Sequence, residues 1–523
     1  MFSEMLEINN INGVSFGTAS NAYKVYNTNN DSDVFESVID GLILERYADE
    51  DVKEYIKHLP SSKKRVATLS LIGEDHLLWT KINNLLKEGK SSYERLKSVY
   101  TLLKEYVKVA DVERKKHGEI LTPFKELAEP MVKLVDKYDV EFWKNKNNKV
   151  LDSSAGYGTF LILVAYKFMI GLKDEFPDEE ERFKWIVENC LYYGELQAKS
   201  VFSWLVAIDP YNEYKTNIYW GSFLAKDFDE HMKNVWKVES FDLIIQNPPY
   251  QNQTETDKNS NSKNPKTQPL WHLFVQKSLK LLEKEAYMVM VHPGGWRNLD
   301  GVFKETQTLL KEKDILYLKM HSFKDGLTIF GAKTNFDYYV LRNSSEKLIT
   351  QIICENGVEE KIQISDLEFI PGENISNIYT LIAKPGEEKV NLLHSYSSYE
   401  PRKDFMSKEK SDINKYPCVY MVSYKNCPTF LWSSRNDRGH FNIPKVVWAS
   451  GSSGVIIDYN GDYGLTPFSY SIVDNVENLE NIKNAIESDK FIKEVMLFKN
   501  GLGHKYNAKI ISTLKKDFWK EFI

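Results

Sequence analysis

Residues 149–170 read KVLDSSAGYGTFLILVAYKFMI, and the reading of the fold starts from this run. A short apolar strand ends on Asp152, a loop of small residues follows, and the apolar stretch 160–170 has the length and texture of a helix. Gly156 and Gly158 fall at this strand-to-helix turn. Glycines there let backbone N–H groups approach a ligand closely and set a helix N-terminus against it. The spacing is Gly-x-Gly, neither G-x-G-x-x-G nor G-x-x-x-x-G-K-[ST], which weakens both nucleotide-phosphate readings. Taken alone, the loop is equally compatible with a tight turn of purely structural use.

Around this run, residues 111–343 alternate apolar runs with helical segments. The runs are 149–154, 191–196, 216–223, 241–249, 286–293, 315–322 and 336–343. Helical patterns such as WHLFVQKSLKLL (271–282) lie between them, so the spacing predicts a doubly wound α/β sheet. Residues 251–269 (QNQTETDKNSNSKNPKTQP) are almost devoid of apolar side chains and are expected to form a mobile loop. Before the sheet, residues 1–110 predict a helical N-terminal region, with apolar residues three and four apart in 34–47 and 93–109. After it, residues 344–523 predict a mixed α/β domain with turn signals at 451–454 and 460–464 and a late helix around 478–497.

The 523 residues leave room for about three folded units at roughly 150 residues each. With 42% hydrophobic and 27% charged residues, disordered, collagen-like and disulfide-dense classes are excluded. The net charge of −6 means that any nucleic-acid surface must be regional. Residues 401–523 hold 18 Lys and Arg against 14 Asp and Glu, whereas residues 1–100 hold 12 against 15. Four dispersed cysteines without a C-x-x-C pair argue against a zinc ribbon or a disulfide framework and point to a reducing cytoplasm. The start lacks a signal-peptide pattern and no 18-residue apolar run occurs, so neither secretion nor membrane spanning is expected. His292 and His321 are isolated strand-end residues, and no metal site is expected.

The most informative motif is Asn247-Pro248-Pro249-Tyr250, at the end of the apolar run beginning at Phe241. Two prolines stiffen the backbone and bring no N–H of their own. The Asn247 side-chain oxygen and the Pro248 carbonyl can therefore present two acceptors to an amino group. Tyr250 can lie flat against a planar ring, as an enzyme acting on an extruded base requires.

With this motif the chain resembles the S-adenosylmethionine-dependent DNA adenine-N6 methyltransferases that carry Asn-Pro-Pro-Tyr and a C-terminal target-recognition domain. The resemblance spans about residues 115–343. Residues 116–123, ending in Thr122-Pro123, look like the segment folding over the methionine end of the cofactor. Asp152, Ala155, Gly156 and Gly158 look like the cofactor loop, and Glu195 sits where the family binds the ribose hydroxyls. Ser222 stands where the family has an Asp that accepts from the cofactor adenine, which shifts that recognition toward stacking by Phe223 or toward Asp227. Phe330 sits where the family places a second aromatic against the flipped base.

The resemblance implies a Rossmann-like methyltransferase domain at 111–343, a DNA-binding target-recognition domain at 344–523, S-adenosylmethionine as cofactor and double-stranded DNA as partner. Catalysis would rest on Asn247, Pro248, Pro249 and Tyr250, which hold and orient the adenine amine without an acidic base. DNA contacts are expected from Lys425, Arg435, Arg438, His440 and Lys445 and from the loop at 450–454. Three rivals stay open: a cytosine-N4 enzyme, which usually has Ser in place of Asn247; a protein-glutamine methyltransferase, which would not need the long C-terminal region; and the modification part of a combined restriction-modification enzyme. A non-catalytic nucleic-acid-binding module is disfavoured by the intact Asn247 and Tyr250.

Overall fold

The computed structural model describes residues 88–106, 122–196, 213–253, 267–298, 301–384, 386–449, 454–492 and 508–523, together with residues 85, 200, 201, 204 and 207–209. The chain divides into two units, one of residues up to Gly294 with Glu305–Ile352, the other of Gly295–Lys304 with Ile353–Ile523. Strand β10 (Thr350–Ile353), shortly after the expected boundary at 343/344, belongs to the first unit's sheet.

All seven expected strands form the centre of that sheet: β1 (Val150–Asp152), β2 (Leu191–Glu195), β3 (Asn217–Trp220), β4 (Phe241–Gln246), β7 (Leu282–Pro293), β8 (Asp314–His321) and β9 (Phe336–Arg342). Their order is β3-β2-β1-β4-β7-β9-β8. The first five run parallel, and β9 enters antiparallel between β7 and β8. Every described β4 residue except Asp242 is buried, as expected of a parallel strand covered on both faces. The order reverses at β1, which starts the two halves of the sheet, so the β1 and β4 ends lie side by side at the position where doubly wound sheets take ligands.

Helices α1 (Ser92–Tyr106), α2 (Glu129–Tyr138), α3 (Thr159–Gly171), α4 (Glu179–Trp185), α5 (Lys226–His231), α6 (Trp271–Leu281) and α7 (Phe323–Phe330) belong to the same unit. Of the region expected to be helical at 1–110, the described part includes α1. The α1 start is tied to α4 by Ser91 Oγ donating to Glu179 (2.8 Å) and the Ser92 amide donating to Glu180 (2.8 Å), with Tyr93 against Phe183. The helix expected at 34–47 lies outside the described residues. The expectation of one loop over 251–269 is corrected, since β5 (Gln251–Gln253) and β6 (Thr267–Pro269) pair as an antiparallel clasp; residues 254–266 lie outside the described residues.

In the second unit, β11 (Glu359–Ile362) precedes two four-stranded sheets. One orders β12 (Leu392–Leu393), β19 (Ser469–Val473), β16 (Lys445–Ala449) and β17 (Val455–Asp458). The other orders β13 (Met406–Ser407), β15 (Pro428–Ser433), β14 (Tyr416–Val422) and β18 (Gly464–Leu465). Helices α8 (Ile375–Leu381) and α9 (Leu479–Glu487) pack with Trp448, Ile472 and Phe518 into the larger of its cores. The expected late helix is α9; residues 493–497 and 450–453 lie outside the described residues.

Candidate active site

The β1–β4 junction is built from short polar contacts. Asn247 is nearly buried, and its Nδ2 donates to Thr122 Oγ1 at 3.2 Å, which brings the Thr122-Pro123 segment onto the strand end. Ser154 Oγ donates to the Asn247 main-chain oxygen at 3.2 Å. Residues 116–121 of the upstream segment lie outside the described residues.

The glycine loop has the geometry the sequence predicts. Gly156 (φ 53°) and Gly158 (φ 83°) are left-handed, a region that costs an L side chain about 1–2 kcal/mol. A Cβ at Gly156 would meet open space, whereas one at Gly158 would lie 2.1 Å from the Trp204 ring. Trp204 in turn stacks on Tyr193 (5.6 Å, 2°), whose hydroxyl donates to the Gly156 carbonyl at 2.6 Å. Glu195 closes the loop from β2: one carboxylate oxygen accepts from the Gly156 amide (2.9 Å), the other from the Leu196 amide (2.8 Å). Ala155 donates from its amide to the Gly194 carbonyl at 3.1 Å. Asp152 is buried beneath, and its carboxyl is held well above the usual range by burial, a shift that the nearby Glu195 charge reinforces and the Ser154 amide opposes.

Tyr250 and Phe330 meet edge to face at 6.1 Å, and Phe330 meets Phe336 at 4.8 Å. Pro248, the next residue after Asn247, is buried, and Pro249 is half-buried. The Tyr250 hydroxyl is buried, and burial followed by the Asp337 charge pushes its ionisation far up. Phe223 is turned inward among Phe228 (4.9 Å), Phe274 (5.3 Å) and the Lys277 ammonium (5.2 Å). Its ring is packed into the fold, while Ser222 and Asp227 are half-buried. His292 is buried and stacked on Trp271 (4.3 Å, 12°), with Nε2 at 3.1 Å from the Tyr339 hydroxyl. His321 is likewise buried, stacked on Phe336 at 4.2 Å. Among the described residues, no group of three or more His, Cys, Asp and Glu side chains is placed to hold a metal.

Two of the expected DNA contacts are corrected. Lys445 is fully buried on β16, its ammonium donating to Asp458 (2.6 Å) and to the carbonyls of His440 (2.9 Å) and Ile443 (3.1 Å). His440 is buried beside it and accepts at Nδ1 from the Leu465 amide (3.2 Å). Both bind the fold together and neither reaches a phosphate. Lys425, Arg435 and Arg438 are exposed; the two arginines lie over Phe405, and Arg435 also pairs with Asp437. The sequence reading missed Gln246, Ser153, Ser278 and Trp204. The first had a visible signal, an amide side chain ending an otherwise apolar strand.

Residues 173–330 match the family described as Eco57I restriction-modification methylase. The matched segment holds β2 to β8, the Asn247–Tyr250 turn and Phe330, while the glycine loop lies just before it. No curated protein matches the sequence. Among solved structures, the type ISP restriction-modification enzyme LlaGI, determined as a nuclease-deletion mutant with a DNA substrate mimic, is similar over 99% of this chain and 62% of its own, with 12% identity and a TM-score of 0.45. The type IIG restriction endonuclease BpuSI is similar over 100% of this chain and 74% of its own, with 9% identity and a TM-score of 0.42. A type I restriction enzyme modification subunit from Vibrio vulnificus YJ016 is similar over 56% and 60%, with 16% identity and a TM-score of 0.38. The chain thus spans less than two thirds of the LlaGI and Vibrio chains.

Proposed function

We propose that this chain transfers a methyl group from S-adenosylmethionine to the N6 amine of an adenine turned out of double-stranded DNA. The observation that carries the reading is Asn247, seated at the β4 end beside the glycine loop with its main chain and side chain both held. The residues fit the cofactor in shape: Gly156 leaves open space at a strand end, beside the Glu195 carboxylate that holds the Gly156 and Leu196 amides. Bound there, the cofactor supplies an activated methyl group; the chain supplies placement. Asn247 and the Pro248 carbonyl hold the two amine hydrogens, turn the nitrogen lone pair toward the methyl and stabilise positive charge as it develops. An aromatic amine needs no acidic base for this step, because the proton is lost more readily once the nitrogen carries charge. The target base enters by replacing the direct contact between Tyr250 and Phe330 and stacks on the tyrosine.

The DNA backbone is assigned to the second unit. Its positive excess is local: residues 401–438 hold eight Lys and Arg against four Asp and Glu, and residues 439–523 hold ten of each. Arg435, Arg438 and Lys425 are exposed and lie over aromatic rings, as do the exposed Lys410 over Trp432 and Lys415 over Tyr416, a pairing suited to sugar-phosphate contact. The test is transfer of labelled methyl from S-adenosylmethionine into unmodified duplex DNA, followed by digestion to nucleosides. Label in N6-methyladenine supports the reading. Label in N4-methylcytosine selects the cytosine reading, and label retained only in protein rejects DNA as substrate.

A further inference from the structure

The residue that ends β4 is a glutamine where the strand pattern calls for an apolar side chain, and it is fully buried. A buried carboxamide is tolerated only when its donors and acceptor are used. The Gln246 oxygen accepts from the hydroxyl of Ser153, the first residue of the glycine loop. Its amide nitrogen donates to Ser278 Oγ at 2.6 Å, on α6. Both serines are themselves buried. Next to this chain of bonds runs the one from Ser154 Oγ to the Asn247 carbonyl. Two consecutive loop residues are therefore stitched to two consecutive strand-end residues 93 positions away. The α6 face that carries Ser278 also carries Phe274 and Lys277, which hold Phe223 beside Ser222. One side chain thus joins the loop after β1, the catalytic turn after β4 and the helix that walls the segment after β3.

We propose that Gln246 is a positioning residue: it fixes the offset between the glycine loop and Asn247, so that methyl donor and target amine, each bound on its own side, meet in line. The proposal rests on the methyltransferase reading above. In-line transfer is steep in geometry, and a displacement of about 1 Å costs on the order of 100-fold in rate while leaving each partner bound. Gln246→Met keeps the approximate length of the unbranched side chain and removes both bonds. Ser278→Ala removes one bond with a smaller change in packing.

The experiment uses the full chain, PCR-amplified DNA as substrate and S-adenosylhomocysteine as the binding probe. Gln246→Met is expected to lower kcat about 10- to 100-fold, with the KM for S-adenosylmethionine and the affinity for S-adenosylhomocysteine within about threefold of the parent. Ser278→Ala is expected to fall between the parent and Gln246→Met, and the double variant to be no slower than Gln246→Met, since both changes cut the same bridge. Unchanged kcat in Gln246→Met overturns the proposal. So does a loss of rate matched by an equal loss of S-adenosylhomocysteine affinity, because that is the signature of a collapsed loop. If Gln246→Met does not fold, Ser278→Ala decides: a lower kcat at unchanged KM supports the bridge, and an unchanged kcat overturns it. A parent chain that binds the probe and transfers no methyl to DNA rejects the underlying reading, and the proposal with it.

Discussion

Asn247 keeps its place through two bonds of different origin, one from the Ser154 hydroxyl to its carbonyl and one from its own amide to Thr122. Neither involves the side-chain oxygen assigned to the target amine. Asn247→Ala is accordingly expected to lower methyl transfer by at least about 1000-fold, roughly 4 kcal/mol of barrier, with S-adenosylhomocysteine affinity nearly unchanged; calorimetric titration beside a transfer assay checks both. Tyr250 separates ring from hydroxyl. Its hydroxyl is buried with no hydrogen-bond partner among the described residues, so Tyr250→Phe should leave activity within about twofold. Tyr250→Ala removes the stacking face, worth about 1–3 kcal/mol per base, and should reduce transfer by about 10- to 100-fold through weaker hold on the base. Equal losses in the two variants would contradict a stacking role.

At the level of elements, the strand-loop-helix unit from β1 to α3 depends on two glycines that fail differently. Gly158→Ala meets both a left-handed backbone and the Trp204 ring, so it should abolish measurable S-adenosylhomocysteine binding. Gly156→Ala meets no protein atom, but its methyl enters the space assigned to the cofactor besides the backbone cost of about 1–2 kcal/mol, so a loss of at least roughly 10-fold is expected in the same titration. The seven strands were legible because each is an apolar run bounded by turn residues, and a covered parallel sheet requires such runs. The turn at Asn247–Tyr250 was legible as a stiffened strand end because two consecutive prolines donate no ladder bond. Gln246 showed only as an amide at the end of a largely apolar strand and Ser153 not at all, since the bond between them is created by the β1–β4 register and no local pattern encodes it. Lys445 and His440 were misassigned for a related reason. A lysine in a short strand resembles a surface residue until the β16–β17 register sets Asp458 opposite it.

Across the whole molecule, buried imidazoles link stability to acidity. Burial lowers His292 to about 3 and His231 to about 4, and lowers His440 in the second unit to about 4 with help from the Lys445 charge. The unfolded chain takes up protons near the ordinary value of 6.5 while these folded sites stay neutral. Their contribution is therefore complete above pH 6.5 and is lost as pH falls toward 4. From pH 7 to 5 each site should cost about 2 kcal/mol, so the first unit loses about 4 from His231 and His292 and the second about 2 from His440. Urea midpoints measured at both pH values test this, and His292→Asn should flatten the slope for the first unit by about one proton.

Trp204 lies flat on Tyr193 with its ring pressed where Gly158 has no side chain, directly behind the turn. An indole in that position is an optical gauge built into the protein: whatever fills the turn changes the polarity around the fluorophore. The chain has eleven tryptophans, so the useful signal is the difference in emission between the parent and Trp204→Phe. That difference gives a reagent-free readout of occupancy, fast enough for stopped-flow timing of entry and exit.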